Sequence, residues 1–485
     1  MATRYMHGLA SAAQARGARI LLQAALGIAF GAVLGMAHAG SEGVLASLQP
    51  APTPGAPWGI GMPAPSPDAP VAPALPQGPQ TLATLSVHAL MNHPATRAAW
   101  AGALADLAAV GAARALFAPV VDLKAPLSIS RDPAAAAPPV ARSLSATLGL
   151  SWVLFDSGSR AAGLESARWQ AAASQLARNR ELQRVVSAVE QAGYAYLGAR
   201  QLTVALQSSV DAAQASLSVV QARRRSGLAT VGESAQAEAA LADAQVQLIQ
   251  AQAQARSAAG SLAQAVGVPV GIPIDLIDDV DGPSSEADAA PLADVDRLMA
   301  RARSSRSDLG ALDAQVLQGR ARVAAAQAAG RPSLSLGVQA ARQWNHPAST
   351  HSTQQIGITL SVPLFDGGLV RAQTAAARAQ LEQLVALREE QAQAIDLEVW
   401  QSFQEADSAG AVIAGARSVL QSAAVAESAA RERYRTGVGS LLELIMAQRT
   451  SAQARVGLVQ ARYTARLAVA KLGYVVGAAS VSALR

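Results

Sequence analysis

The sequence predicts a mostly α chain of the α+β class, internally duplicated, in which long helical hairpins alternate with two pairs of β-strands. Three observations carry this. Leu148-Gly149-Leu150-Ser151-Trp152-Val153-Leu154-Phe155-Asp156-Ser157-Gly158 recurs, at a fixed offset, as Ile358-Thr359-Leu360-Ser361-Val362-Pro363-Leu364-Phe365-Asp366-Gly367-Gly368. The same offset relates Gly227 to Gly437 and Val266-Gly267 to Val476-Gly477, so rods and turns keep equal lengths in both copies. Aromatic residues are only 4% of the 485 and alanine abounds, which suits closely packed helices better than a thick globular core.

The N-terminus comes first in chain order. Arg4, Arg16 and Arg19 precede an apolar stretch from Ile20 to Met36, and Ala37-His38-Ala39 offers a small-x-small cleavage site. Residues 1–39 are therefore expected to be a cleaved export signal; a membrane anchor is the other reading of such a run. Residues 40–80, with prolines every two or three positions from Pro50 to Pro79, are expected to be an extended tether.

Repeat one is assigned to residues 81–267. A helix-period stretch from Leu82 to Leu116 ends at Ala118-Pro119. Val121, Leu123, Ala125, Leu127 and Ile129 then alternate with polar residues, and Leu144, Ala146, Leu148, Leu150 and Trp152 return against Ser143, Ser145, Thr147, Gly149 and Ser151. Repeat two, residues 291–477, has the same layout. A helix from about Pro291 to Ala329 is broken at Gly330-Arg331-Pro332, and two alternating runs follow, from Ser333 and up to Leu364. The acidic, Pro- and Gly-rich segment 268–290 is read as an inter-repeat linker, and 478–485 as a C-terminal tail.

After each Phe-Asp-x-Gly the period turns helical and stays so to the next glycine, over the equal stretches Asp156 to Gly227 and Asp366 to Gly437. Each is long enough for a rod of roughly 100 Å. Asp156 and Asp366 are expected to be helix N-caps, with Gly158, Gly367 and Gly368 shaping the strand-to-helix turn. Gly227 and Gly437 are expected to turn each rod back on itself as left-handed caps. Val456, Val459, Tyr463, Leu467, Ala470 and Tyr474 then follow a helical face.

Strands apolar on one side and small-polar on the other fit a membrane barrel wall in an exported chain. Four strands cannot close a barrel, and unpaired backbone groups in hydrocarbon cost several kcal/mol each. A cyclic assembly of several copies follows, its hollow centre lined by Ser, Thr, Gly and Gln.

Phe365-Asp366-Gly367-Gly368, the long helix after it, Arg433-Tyr434-Arg435-Thr436-Gly437 and Leu441-Leu442-Glu443-Leu444-Ile445-Met446-Ala447-Gln448 resemble the TolC outer-membrane efflux family. Asn92-His93-Pro94 also fits the family pattern, and the resemblance spans about Thr81 to Gly477. It implies a homotrimer with a 12-stranded outer-membrane β-barrel continuous with a periplasmic barrel of 12 helices. The far end would dock a periplasmic adaptor and an inner-membrane ABC transporter or proton-driven pump. By match to the family's tip, Glu233, Glu443 and Tyr434 would line the periplasmic constriction. Two family positions depart, an acidic one falling on Met446 and a basic one on Gly439. Carboxylates crowded on a symmetry axis repel one another, so closure is expected to depend on pH. Gly227, Leu228, Gly437 and Val438 are the expected adaptor-docking tips.

Other functions find little support. The basic residues are scattered and the net charge of +5 falls to near +2 without the leader, which argues against nucleic acid as a partner. No phosphate-cradling loop or nucleophile elbow is present, and the six histidines have no ligand spacing, so neither enzyme activity, cofactor nor metal is expected. With no cysteine, disulfides and a lipid on an N-terminal cysteine are excluded. That absence favours the type I protein-secretion branch over lipid-anchored drug-efflux members. A multidrug efflux channel is the alternative; a structural periplasmic adaptor or a trimeric adhesin is the alternative from another class.

Overall fold

The computed structural model describes residues 78–131, 140–278, 294–346 and 349–477. The expected signal, nearly all of the expected tether and the expected C-terminal tail lie outside these residues. The elements run α1 (Leu82–Asn92), α2 (Pro94–Ala115), β1 (Val120–Lys124), β2 (Leu127–Arg131), β3 (Val140–Phe155), α3 (Ser159–Arg225) and α4 (Val231–Val266). Repeat two follows as α5 (Val295–Ser305), α6 (Ser307–Ala328), β4 (Ser333–His346), β5 (Ser349–Ser361), α7 (Leu369–Arg435) and α8 (Leu441–Val476).

The duplication is reproduced to the residue in the rods. Both α3 and α7 have 67 residues, and both α4 and α8 have 36. Long helices at this length owe their stability to lateral packing rather than to propensity. Here α3 lies against α4, α8, α2 and α6, while α7 lies against α8, α6 and α5. The four rods thus stand in the order α4, α3, α8, α7.

The sheet is antiparallel, in the order β1/β2, β3, β4, β5. The single outgoing strand expected in repeat one is two. Pro126 has no amide to give to the ladder, and its carbonyl instead accepts from Ser145 N at 3.0 Å. β3 and β4 pair from Arg142↔His346 to Phe155↔Leu334, so the two repeats are joined edge to edge. The margins of this sheet, β1/β2 and β5, are open.

The two helices expected as continuous, one in each repeat, are each broken at an equivalent position. The first divides at His93, ahead of Pro94, whose ring removes a helical hydrogen bond. The second begins at Val295 and divides at Arg306. Two matching cores pack around these breaks. Leu85, Ala89, Val185, Val189, Leu262 and Val266 form one, and Leu298, Ala302, Ile395, Val399, Leu472 and Val476 form the other. The expected linker is part of the first core: Val268, Ile274 and Leu276 are buried, and Leu276 bridges to Gln80.

Candidate functional site

Strand pairing sorts the barrel wall into two faces. Leu123, Leu148 and Ala340 share one row, as do Val121, Leu150, Val338 and Ile356. Leu123 and Ile356 are 71% and 66% exposed, on an apolar face that no other described residues cover. The opposite face carries Ser145, Thr147, Gly149 and Ser151 facing Gln343, Ala341, Gln339 and Gly337. It is not wholly neutral, as the sequence suggested. Asp122 and Lys124 lie there, opposite Gly149 and Thr147, and pair at 3.1 Å. A Cβ at Gly149 would come within 3.0 Å of Asp122 Oδ1, so glycine makes room for that carboxylate.

The strand-to-helix turns fix how the rods leave the wall. The cap residues are Gly158 and Gly368, at φ 93° and 88°, rather than Asp156 and Asp366. The carboxylates still do the capping chemistry from two residues upstream. Asp156 accepts from Gly158 N and Arg160 N, and Asp366 from Gly368 N and Val370 N. Those last two amides hold the Asp366 carboxyl below the usual carboxylate range. Gly367 has φ 64°; its counterpart Ser157 adopts φ 54°, a conformation that costs a side chain about 1 kcal/mol. Ser157 Oγ donates to the Pro332 carbonyl at 2.7 Å, pinning this turn to the start of β4.

At the far end each rod closes with a glycine in the left-handed region, Gly227 at φ 71° and Gly437 at φ 81°. Leu228 N bonds Arg223 O at 2.8 Å and Gly227 N bonds Arg224 O at 3.0 Å; Val438 and Gly437 repeat the pattern on Arg433 and Tyr434. This is the Schellman arrangement, and a β-carbon at either glycine would be strained. Leu228 and Val438 project beyond it, 68% and 76% exposed.

The three residues expected at the constriction are distributed unequally. Glu233 accepts from Thr230 N at 2.7 Å in a capping box that starts α4. Glu443, in the first turn of α8, pairs with Arg433 at 2.7 Å. Both carboxylates keep partial access to solvent. Tyr434 is buried within the single protomer, its side chain packed among Leu217, Val220, Leu441 and Leu444. Arg223 of the other repeat lies over its ring at 4.8 Å and donates to its carbonyl at 2.6 Å. Burial, with Glu233 nearby, raises the Tyr434 phenol above its ordinary value. This contact joins the two repeats across 211 positions of sequence, and no local periodic signal could have revealed it.

A second cluster escaped sequence reasoning. Arg306, its side chain 1% exposed, pairs with Asp308 at 2.6 Å and Glu398 at 2.5 Å; Arg180 reaches Asp308 at 3.5 Å and lies over the Tyr474 ring. The cluster ties α3, α6, α7 and α8 together. Among the described residues no group of His, Asp and Glu is arranged to hold a metal.

A sheet of four staves with one apolar and one polar face, continuous with paired rods of equal length, is a segment of the wall of a channel that crosses a membrane and extends well beyond it. The chain belongs to the outer membrane efflux protein family, whose pattern matches residues 85–268 and 298–478. Protein CyaE of Bordetella pertussis is 32% identical over 368 residues, 74% of this chain and 76% of that one. The pyoverdine export outer membrane protein OpmQ of Pseudomonas aeruginosa is 26% identical over 66% of this chain and 67% of its own. The crystal structure of the outer membrane protein VceC from Vibrio cholerae shares the fold, with a TM-score of 0.69 at 20% identity over 82% of this chain and 96% of that one. The protein is thus an outer-membrane exit channel of a tripartite exporter.

Proposed function

We propose that three copies close the channel and that it serves type I secretion of a protein. The observation that carries the assembly is the pair of open sheet margins, β1/β2 and β5, in a wall built for hydrocarbon. The rods have matching margins. One stretch of α7 is apolar enough by composition to cross a membrane, yet only 6% of it is buried in the protomer. A neighbour's α4 side would cover it, just as a neighbour's β1/β2 would pair with β5. Three protomers give 12 strands and 12 rod helices, the arrangement the family resemblance implies.

In this reading the tips face the periplasm and meet an adaptor through Gly227, Leu228, Gly437 and Val438, with an inner-membrane ABC transporter supplying energy. Residues 1–39 are removed on export. The resemblance to the type I secretion branch, with CyaE among the relatives, supports protein cargo; the match to OpmQ, named for pyoverdine export, supports small-molecule efflux as the second reading. Glu233 and Glu443, matched by the internal repeat and each in the first turn of a returning helix, are the constriction residues. Tyr434 supports them from behind by locking the two hairpins together.

The test is conductance of the purified full-length trimer in planar bilayers, after heat-modifiable gel migration has shown that it assembles. Glu443→Ala and Glu233→Ala are expected to raise conductance and flatten its pH response. Unchanged conductance and pH response would remove the constriction assignment, and a water-soluble monomer would remove the channel itself.

A further inference from the structure

The apolar band of the wall is fenced at each end by an arginine resting on an aromatic ring, and the two fences differ. At the helix end Arg160 lies 4.9 Å over Phe117, and Trp152 Nε1 donates to the Phe117 carbonyl at 2.9 Å. There Arg160 is neutralised by Asp156 at 2.9 Å. At the loop end Arg342 lies 5.4 Å over Trp344. Strand pairing places Arg342 beside Ala146 and Ser352 and Trp344 beside Leu144 and Thr350, all on the outward, apolar face. Among the described residues, Arg342 has no carboxylate.

Trp152 pairs with Leu336, and Trp344 lies eight residues further along β4. That is about 26 Å along the strand, or roughly 20 Å of height at a tilt of about 40°, most of the ~25 Å apolar band of an outer-membrane barrel, whose aromatic residues mark its two borders. Arg342 therefore sits just inside the outer border, and its stem must carry the guanidinium past the ring toward the headgroups. A cation at this depth is costly unless an anion meets it. None comes from the described protein, whereas the opposite end of the same face supplies its own.

We propose that Arg342, steadied by Trp344 and with the Ser352 hydroxyl beside it, is the seat for a phosphate group of an outer-leaflet glycolipid, one seat per protomer. The planar fork of guanidinium suits a phosphate, and the indole face holds the fork at the level where such phosphates lie. The proposal rests on the outer-membrane reading above.

The experiment is native mass spectrometry of the full-length protein in detergent, titrated with phosphorylated lipid A and with its dephosphorylated form. Wild type is expected to retain the phosphorylated lipid about fivefold better than Arg342→Gln, and the dephosphorylated lipid no better than the variant does. Arg342→Lys, which keeps the charge but loses the fork, should fall between, and it carries the test if the glutamine variant fails to assemble. Equal retention by wild type and variants overturns the proposal, as does indifference to the lipid's phosphate. Displacement of the lipid by millimolar inorganic phosphate would overturn it in favour of a free-anion site. Failure of the wild type to form a trimer would sink the channel reading instead.

Discussion

The breaks at His93 and Arg306 occupy equivalent positions in the two repeats and solve one problem with opposite chemistry. Each begins a new helix beside an otherwise matching core. In repeat one His93 Nδ1 accepts from Ala95 N at 3.1 Å, and the ring packs on Gly267, where a Cβ would come within 3.1 Å. In repeat two Arg306 makes no side-chain cap and instead gathers Asp308, Glu398 and the Val475 carbonyl. The positions that match these acids in repeat one are Ala95 and Ala188. The difference teaches that the duplicated backbone is held by its shared apolar contacts, Val189 and Leu262 matching Val399 and Leu472. Polar closure of the junction was free to diverge, provided that cation and acids changed together.

The comparison breaks most visibly at Arg306. Arg306→Ala leaves Asp308, 23% exposed, without its main cation and releases Glu398, already 47% exposed, to solvent, and should cost about 2 kcal/mol. Thermal melting of the detergent-solubilised assembly checks this; a shift no larger than that of an ordinary surface substitution would mean that the cluster is dispensable.

Acid should separate the two junctions. Burial depresses the His93 imidazole, assisted by Arg184, against opposing contributions from a Gln264 backbone contact and Glu181. A lowered histidine contributes stability that is complete above the unfolded value of about 6.5 and is lost as pH falls below it. Protonation also removes the lone pair that caps α2. For Asp308, burial works to raise the carboxyl, but the Arg306 hydrogen bond and the charges of Arg306 and Arg180 outweigh it, so the group is lowered. Its contribution survives until pH falls below about 3.9 and through the folded value. Relative to the intrinsic rate, hydrogen exchange at Ala95–Arg97 should therefore quicken once pH falls below about 6.5, while that at Ser307–Leu309 stays slow until about 3.9. Simultaneous loosening would contradict the assignment.

The smallest expected effect is at the histidine itself. His93→Ala removes one cap and should cost about 1 kcal/mol, less than Arg306→Ala. A loss as large as that of the arginine, in the same melting assay, would show that the ring's packing against Gly267 outweighs its cap.

Much of this architecture was legible because it is periodic. Strands such as Leu144 to Trp152 alternate cleanly, and the rods carry glycine stops at matching positions, so wall, hairpins and duplication could all be read. Pro94 lies in plain view ahead of α2 but was passed over within a helix-period stretch, whereas Ser305-Arg306-Ser307 has no breaker, and only folding against Glu398 shows why the helix turns there. The strand division at Pro126 was signalled by the residue itself and lost within a convincing alternation. Tyr434 was placed by motif, but the sequence could not show that Arg223 roofs it. The acidic appearance of the inter-repeat segment likewise hid Val268, Ile274 and Leu276, which enter the core individually without a period. Contacts between remote stretches of chain obey shape and charge, and neither leaves a local rhythm.

The matched counts of 67 and 36 residues make the two hairpins a common ruler. One residue added to α3 alone would lift its tip about 1.5 Å and swing every side chain below the insertion by some 100°. Leu217 and Val220 would turn away from Leu441, and Glu233 would leave the level of Glu443. A change of length would therefore be accommodated in the distal loops, or in the rods only by compensating additions in both halves at once.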